Sequence, residues 1–516
     1  MTCTASRVVL LSSVAMAVAS ASAMAAPLVN NGSFEAGNLT GWTAGPSYAA
    51  SNVLSSDGTW SAVSGCIGAG CVTLGAGGVS GTGVLSQAID LDGGVYRLTY
   101  DHNNSSGGVD NQFAVSLGTN LLRNSVNAAS SGGFLSYENI TAVSGGSTTL
   151  AFGVRHDPSL QYVDNIALVQ IDDGQGNNIA AVSQSVAFQG AYGFLDRIQN
   201  RFGRAGSPVS VALNTPVDVA DNSGGYISPT GSMRAYISGY GDRGKWDDGI
   251  KSRRWGLSAG VDTAVTDSLD LGVTLSTGHS RFTTETLFTD NEGRADEYLG
   301  AIHAHFSPKS MPLYLTAAAG YGYTSNDFTR TSNGTDGTVV ARGVEATQWL
   351  GSVELGFDWK LGKSFTLTPY LRGDAARLDQ DGYTETPLAG ASLLPMTVEA
   401  VDQDAMRSVL GARGTFDIAA GRRGARLTMG AGWAHEFETD RAVAFGVTSP
   451  TIGGGGTNVI FAGTSTAATP DEDSVVAGAS VEAPVSDEAR IYVGYNGLFA
   501  SGNDSHGAEA GLRVVW

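Results

Sequence analysis

The chain has 516 residues, enough for two or three domains, and a formal net charge of −19 that excludes non-specific nucleic-acid binding, which needs a basic footprint. Glycine fills 71 positions, about twice the average share, and charged residues make up only 15%. This balance fits Gly-rich β structure, a repetitive exported protein or a membrane barrel.

Residues 1–25 read as a secretory signal peptide. Arg7 precedes the apolar stretch "VVLLSSVAMAVASASAMA", and Ala23-Met24-Ala25 offers a small-x-small cleavage site before Ala26. Cys3 lies ahead of the apolar stretch and leaves with it. Beyond this segment no run of ~18 apolar residues offers a transmembrane helix. Cys66 and Cys71, in "CIGAGC", read as a small local disulfide of an exported protein. A metal role for the pair lacks neighbouring His or Cys partners.

Residues 26–172 alternate in short pieces, "GVYRLTYDHN", "NQFAVSLG" and "TTLAFGVRH", separated by Gly/Ser/Asn clusters. Short punctuated strands predict an antiparallel β-sandwich. The opening "NGSFEAGNLTGW" and closing "VDNIAL" resemble the galactose-binding-like jelly rolls of exported bacterial proteins. That resemblance implies a binding module, often for glycans and often with a structural calcium. Carried over by position, Glu35 and Asp164 would supply carboxylate oxygens to a calcium, a hard cation that takes oxygen ligands. The alternative is that both cap neighbouring turns. Trp60, His102, Asn103 and Arg155 are the candidate glycan-binding residues, with Tyr100 and Asp101 nearby in sequence. Trp42 reads as core.

Residues 173–232 form a linker carrying a helix over about 177–202, "NNIAAVSQSVAFQGAYGFLDRIQNRF". Arg197, Arg201 and Arg204 lie toward its end, where cations suit the helix dipole. Gly190 and Gly193 weaken it by about 1 kcal/mol each. Residues 177–202 would reach ~39 Å at ~1.5 Å per residue, more than the ~25 Å apolar band of a membrane barrel, so the helix is long enough to thread a lumen. The alternative is a surface or linker helix with the N-terminal domain in the periplasm.

From 233 to 516 the pattern has period two, as in "WGLSAGVD", where Trp255, Leu257, Ala259 and Val261 face away from Gly256, Ser258, Gly260 and Asp262. Twelve strands are predicted, near 233–241, 253–265, 269–283, 296–307, 312–328, 347–361, 365–378, 404–419, 425–437, 474–485, 489–502 and 506–516. Tight turns such as "TDS" and "LGKS" alternate with long segments such as "TETLFTDNEGRA", "NGTDGTVVARGVEA", "TETPLAGASLLPM" and the excursion over 438–473. Short turns at one rim and long loops at the other mark a transmembrane β-barrel of the outer-membrane kind, with an even strand number. Leu512, Val514 and Trp516 alternate along the last strand and read as its barrel-closing signal.

Together, the signal peptide, the N-terminal domain, the helix ending "FLDRIQNRF", the Gly-rich barrel and the closing "GLRVVW" resemble the classical, type V autotransporters of Gram-negative bacteria. The fold expected is all-β: a 12-stranded antiparallel transmembrane barrel with a lumen helix, preceded by a small jelly-roll sandwich. The resemblance implies an outer-membrane barrel, lipid as its surround, and help from the general secretion and barrel-assembly machineries. It also implies a surface-exposed passenger, whose ligand would be a glycan or a host or neighbouring cell. Some family members cut their passenger free at an Asn pair in the lumen helix. Asn177-Asn178 resembles this pair but sits at the helix start, so the passenger is expected to stay attached.

Enzyme readings fare poorly. "GLSAG" matches G-x-S-x-G, yet that motif needs a strand-to-helix elbow, and Ser258 lies within a strand pattern. His303 and His305 share one face and are expected to line the lumen. Asp101-His102 and His156-Asp157 are adjacent pairs that point to opposite faces of a strand. No catalytic residue is assigned. The rival readings are a surface-displayed hydrolase and an outer-membrane channel with a periplasmic N-terminal domain.

Overall fold

The computed structural model describes residues 28–106, 110–172, 178–202, 233–246, 249–285, 288–333, 337–391, 393–418, 424–450, 457–465, 469–486 and 488–515. The signal segment, Asn177, residues 203–232 and Trp516 therefore lie outside the described residues.

The N-terminal unit contains β1 (Tyr48–Ser51), β2 (Ser61–Ser64), β3 (Val84–Asn104), β4 (Asn111–Leu117), β5 (Asn120–Val126), β6 (Leu135–His156) and β7 (Gln161–Asp172). They form one antiparallel sheet in the order β1-β2-β7-β3-β6-β4-β5. The long pair β3 and β6 is shared between two layers. Its 150–156 end carries β4, whereas the 95–104 part of β3 carries β7. Gly145 and Gly146 interrupt the long pair with φ of 87° and 101°, backbone that glycine adopts without penalty. Leu85, Leu98, Phe113, Phe152, Val163 and Leu168 fill the space between the layers, each no more than 2% exposed. Each such side chain contributes roughly 1.5–3 kcal/mol by leaving water.

The C-terminal unit is a closed barrel of β8 (Met233–Trp246), β9 (Lys251–Thr266), β10 (Leu269–Glu285), β11 (Thr289–Phe306), β12 (Leu313–Ser332), β13 (Thr338–Phe357), β14 (Phe365–Gln380), β15 (Val401–Ile418), β16 (Ala425–Glu436), β17 (Asp473–Pro484), β18 (Ala489–Phe499) and β19 (Asn503–Val515). Each strand pairs antiparallel with the next, and β19 closes on β8 with Leu512 opposite Ile237 and Val514 opposite Ala235. Closure leaves no open edge, which is what a sheet in lipid requires. Outward positions are apolar and ringed by aromatics. Trp255, Tyr298, Trp349 and Trp433 stand near one rim, with Phe306, Phe357 and Phe416 near the other, all exposed on the barrel's outer surface. From Trp255 to Val265 the strand rises ~26 Å along a barrel axis tilted by ~40°, the height of an apolar membrane band. No helix among the described residues is long and apolar enough to cross a membrane.

The long segments are not irregular loops. The strands run past the aromatic ring as extended hairpins, so "TETLFTDNEGRA" and "NGTDGTVVARGVEA" are largely strand. Their inward positions, Phe282, Phe328, Val339 and Val344, bury in a cluster at the mouth, which rewards continued pairing above the membrane. Two further segments add a four-stranded sheet over that mouth, made of Tyr383–Thr384, Met396–Val398, Val443–Pro450 and Thr457–Ser465.

One helix, α1 (Asn178–Phe202), enters beneath this lid. Its first turns, Ile179 to Val186, join the same apolar cluster as Met396 and Phe445 of the lid and Val95, Ala142 and Ile171 of the sandwich. The sandwich thus rests on the hairpin rim. The other rim holds Met233 and Val515, neighbours across the β8–β19 closure.

Candidate functional site

The barrel interior and its helix form the most heavily built polar site in the molecule. Because strand side chains alternate, every second barrel residue points inward, and here those residues include Arg254, Glu354, Arg372, Asp374, Arg407, Arg413 and Glu436, all buried. The helix meets them along its length. Ser183 donates to Gln380 at 3.1 Å, Tyr192 to Glu436 at 3.2 Å, and Gln199 to Ser352 at 2.8 Å. Asp196 is ion-paired to Arg372 and lies 3.5 Å from Arg407. Both arginines also reach Asp374, at 3.0 and 2.8 Å. The guanidinium of Arg197 lies 3.6 Å over the Tyr240 ring, and that of Arg407 lies 4.1 Å over Tyr192. Phe194, Leu195 and Ile198 pack on an inward apolar stripe containing Leu299, Leu350, Ala376 and Leu378, while Phe188 lies one turn from Tyr192 with the Arg441 guanidinium 4.7 Å over its ring. The helix is held against one wall. The other side keeps a cavity of about 240 Å³, bordered by small wall residues such as Gly430, Gly478, Ser480 and Gly494.

Gly190 and Gly193, which weaken the helix as isolated sequence, have a reason in the lumen. A Cβ at 190 would stand 2.5 Å from both Arg254 Nη1 and Glu297 Oε1. Arg254 in turn donates to the Gln189 carbonyl at 3.1 Å and to Asp242 at 2.9 Å. Sequence alternation places Arg254, Arg372 and Arg407 inside the barrel. It carries no signal for which helix residue each one meets.

In the sandwich, Cys66 and Cys71 form a disulfide with Cα atoms 5.8 Å apart. Glu35 and Asp164 clasp one loop from two sides. Glu35 accepts the N–H groups of Thr59 and Trp60, both at 2.8 Å. Asp164 Oδ2 accepts the Ser56 N–H at 2.8 Å and the Ser55 hydroxyl at 2.9 Å, while Oδ1 accepts the Asn165 N–H at 2.8 Å. This is the turn-capping alternative: oxygens that already face hydrogen-bond donors are poorly placed for a calcium. Among the described residues no three His, Cys, Asp or Glu side chains converge on a metal position.

The four candidate glycan residues are not one cleft. His102 corrects the reading of a cleft residue. Its ring stacks on Phe113 with centroids 3.7 Å apart, bonds Gln161 at 2.8 Å and is 6% exposed. Burial pulls its pKa down to about 4, so it is neutral at pH 7. Asn103 is also buried, and its Oδ1 accepts from Ser131 at 3.1 Å. Arg155 is tied to Asp157 at 2.8 Å and lies 3.5 Å from Asp110. Trp60 packs against the sandwich core, and its backbone N–H is held by Glu35. Trp42 lies within the core, tilted against Phe34 and edge-on to Phe152.

The enzyme-like motifs dissolve. Ser258 is 2% exposed inside the barrel, bonded to the Leu275 carbonyl at 3.4 Å. Asp101 accepts from Ser136 at 2.5 Å while its neighbour His102 faces the core. His303 bonds Asp262 at 2.7 Å and His305 bonds Thr316 at 2.9 Å, each inside the lumen with its own partner.

A family model described as "Autotransporter beta-domain" matches residues 235–496, just over half of the chain. No curated protein matches the chain. Among solved structures, the chain is similar to the translocator domain of autotransporter NalP from Neisseria meningitidis, with 15% identity, TM-score 0.43, and 55% of this chain and 88% of that chain covered. It is similar to the transport unit of autotransporter AIDA-I from Escherichia coli, with 11% identity, TM-score 0.40, and 61% and 98% covered. It is also similar to TmCBM61 in complex with β-1,4-galactotriose, with 18% identity, TM-score 0.22, and 28% and 99% covered.

Proposed function

The chain belongs to the autotransporter family, and from that premise we infer that its sandwich is a small binding passenger held outside the cell. The barrel resides in the outer membrane of a Gram-negative bacterium, and its insertion relies on barrel-assembly machinery. The observation that carries the passenger reading is the path of α1. An even strand number puts Met233 and Val515 at the same rim, the rim of short turns, which in such barrels is periplasmic. The helix and the sandwich stand at the opposite rim, among the long hairpins.

The packed contact between the sandwich, the lid and the start of α1 supports a passenger that stays attached. The jelly-roll architecture, with His102 bonded to Gln161 and Asp157 to Arg155 rather than in His-Asp dyads, favours binding over hydrolysis, and a glycan or another cell surface is the ligand class of this reading. Protease shaving of intact cells, probed with an antibody against residues 28–172, tests the placement. Loss of signal from sealed cells is the expected result. Protection lifted only by permeabilising the outer membrane would sink this reading and favour a channel with a periplasmic domain. Cells displaying the full chain, applied to a glycan panel, then test the ligand class. Turnover of an ester or glycoside panel would instead favour the hydrolase.

A further inference from the structure

On the outer face of the barrel, four arginines stand in one row across four adjacent strands. Arg243 pairs with Arg253, Arg253 with Arg281, and Arg281 with Arg294. All four side chains are exposed. One step further out, Lys245 is paired with Lys251. Like charges set directly opposite on neighbouring strands destabilise a sheet, so three consecutive Arg–Arg pairings need a compensating anion. The chain supplies only part of one. Glu292 bonds Arg281 at 2.6 Å and Arg294 at 2.7 Å. Among the described residues, Arg243, Arg253 and Lys245 have no ion pair.

The row sits one outward step beyond Trp255, and so just outside the aromatic ring where lipid headgroups begin. Elsewhere at this level the barrel is acidic, with Asp327, Glu345, Asp379, Asp402, Asp404 and Asp473 on β12 to β17. Outward arginines outside the β8–β11 sector, Arg342 and Arg377, stand singly among these carboxylates, and Arg377 is ion-paired to Asp402. Strands lie ~4.8 Å apart, so the row spans ~14 Å, room for more than one phosphate. Guanidinium groups match phosphate oxygens two at a time, and a basic cluster beside a membrane reads as a site for anionic headgroups.

We propose that the β8–β11 sector is a binding site for a membrane lipid carrying two or more phosphates on its headgroup. The site is separate from whatever the passenger binds and rests only on the barrel's place in the membrane.

The test uses the purified full-length protein in detergent, with adducts read by native mass spectrometry. Three probes are added in turn: bisphosphorylated lipid A, its dephosphorylated counterpart, and inorganic pyrophosphate. The expected result is preferential retention of the bisphosphorylated lipid. Arg243→Gln/Arg253→Gln should cut it by about tenfold, while Arg377→Gln on the acidic side should leave it unchanged. In lipid-free detergent the double variant should also unfold at a higher temperature than the wild type, because a like-charge pair is gone. Added bisphosphorylated lipid should then reverse that order. Equal retention of the dephosphorylated lipid overturns the proposal, as does retention unaltered in the double variant. Displacement of the lipid by an equal concentration of pyrophosphate would overturn the lipid as the source of phosphate. If the double variant does not migrate as a folded barrel on gels, Lys245→Gln/Lys251→Gln reads the same sector, and its unchanged retention counts equally against the site.

Discussion

Arg254 of the barrel wall meets the helix at Gly190, where a Cβ would lie 2.5 Å from its Nη1, and its Nη2 donates to the neighbouring Gln189 carbonyl at 3.1 Å. A glycine that is a liability in an isolated helix is here the notch that seats it. Gly190→Leu would force the helix off the wall, at a cost of about 1–3 kcal/mol as for other overpacked sites. The expected outcome is a folded barrel with raised single-channel conductance in planar bilayers. Wild-type conductance in Gly190→Leu would show that the notch does not hold the plug.

Asp196 and Asp374 share Arg372 and Arg407, yet the two carboxylates should not be equivalent. The Asp374 side chain is fully buried and Asp196 is 26% exposed. Removing one partner of a buried pair costs about 3–5 kcal/mol, because a charge is left uncompensated. Asp374→Asn should therefore lower the temperature at which the full protein loses its folded gel mobility by more than Asp196→Asn does. Solvent reaching Asp196 should hold its cost below that range. The reverse ranking would contradict the lumen geometry.

The loop at 55–60 depends on Glu35 and Asp164, which hold it through several charge-assisted hydrogen bonds. Glu35 is exposed, so Glu35→Ala should cost only about 1 kcal/mol locally. Limited proteolysis of the full-length protein should then cut near Asp57-Gly58, where the wild type resists. Equal resistance in the variant would mean that the clasp is not what fixes the loop.

The sandwich should weaken in mild acid. His102 has a folded pKa of about 4, against ~6.5 in an unfolded chain, so below pH ~6.5 the unfolded state binds the proton first. Its contribution is fully present above that pH and is lost progressively as pH falls toward 4, a change of about 3 kcal/mol. Hydrogen exchange of residues 98–104 should rise between pH 7 and 4.5 after correction for intrinsic rates. His102→Asn should remove most of that rise. A pH dependence retained in His102→Asn would assign it to another group.

The local pattern carried the barrel a long way. Strict alternation, as in Trp255, Leu257, Ala259 and Val261, shows which face meets lipid, because a strand has period two and only one face can be oily. The same logic reads Ser258, His303 and His305 as lumen residues. It fails at the hairpins, where "NGTDGTVVARGVEA" looks like a polar loop. Val339 and Val344 are buried there only because Phe282, Phe328 and the lid come from elsewhere in the chain.

What the sequence determined by itself is therefore the barrel strands and their faces, one small-residue helix, and a punctuated β unit ahead of them, but not the four-stranded sheet over the mouth. The period of apolar residues is a local property and needs no partner. Only the tertiary structure decided which charges meet. Arg254 against Gly190 and Asp196 between Arg372 and Arg407 depend on where the helix stands in the lumen. The row from Arg243 to Arg294 depends on strand register, and the burial of His102 on how the sandwich closes. Pairings between residues far apart in the chain are set by closure and packing, and nothing in the spacing of either partner encodes the other.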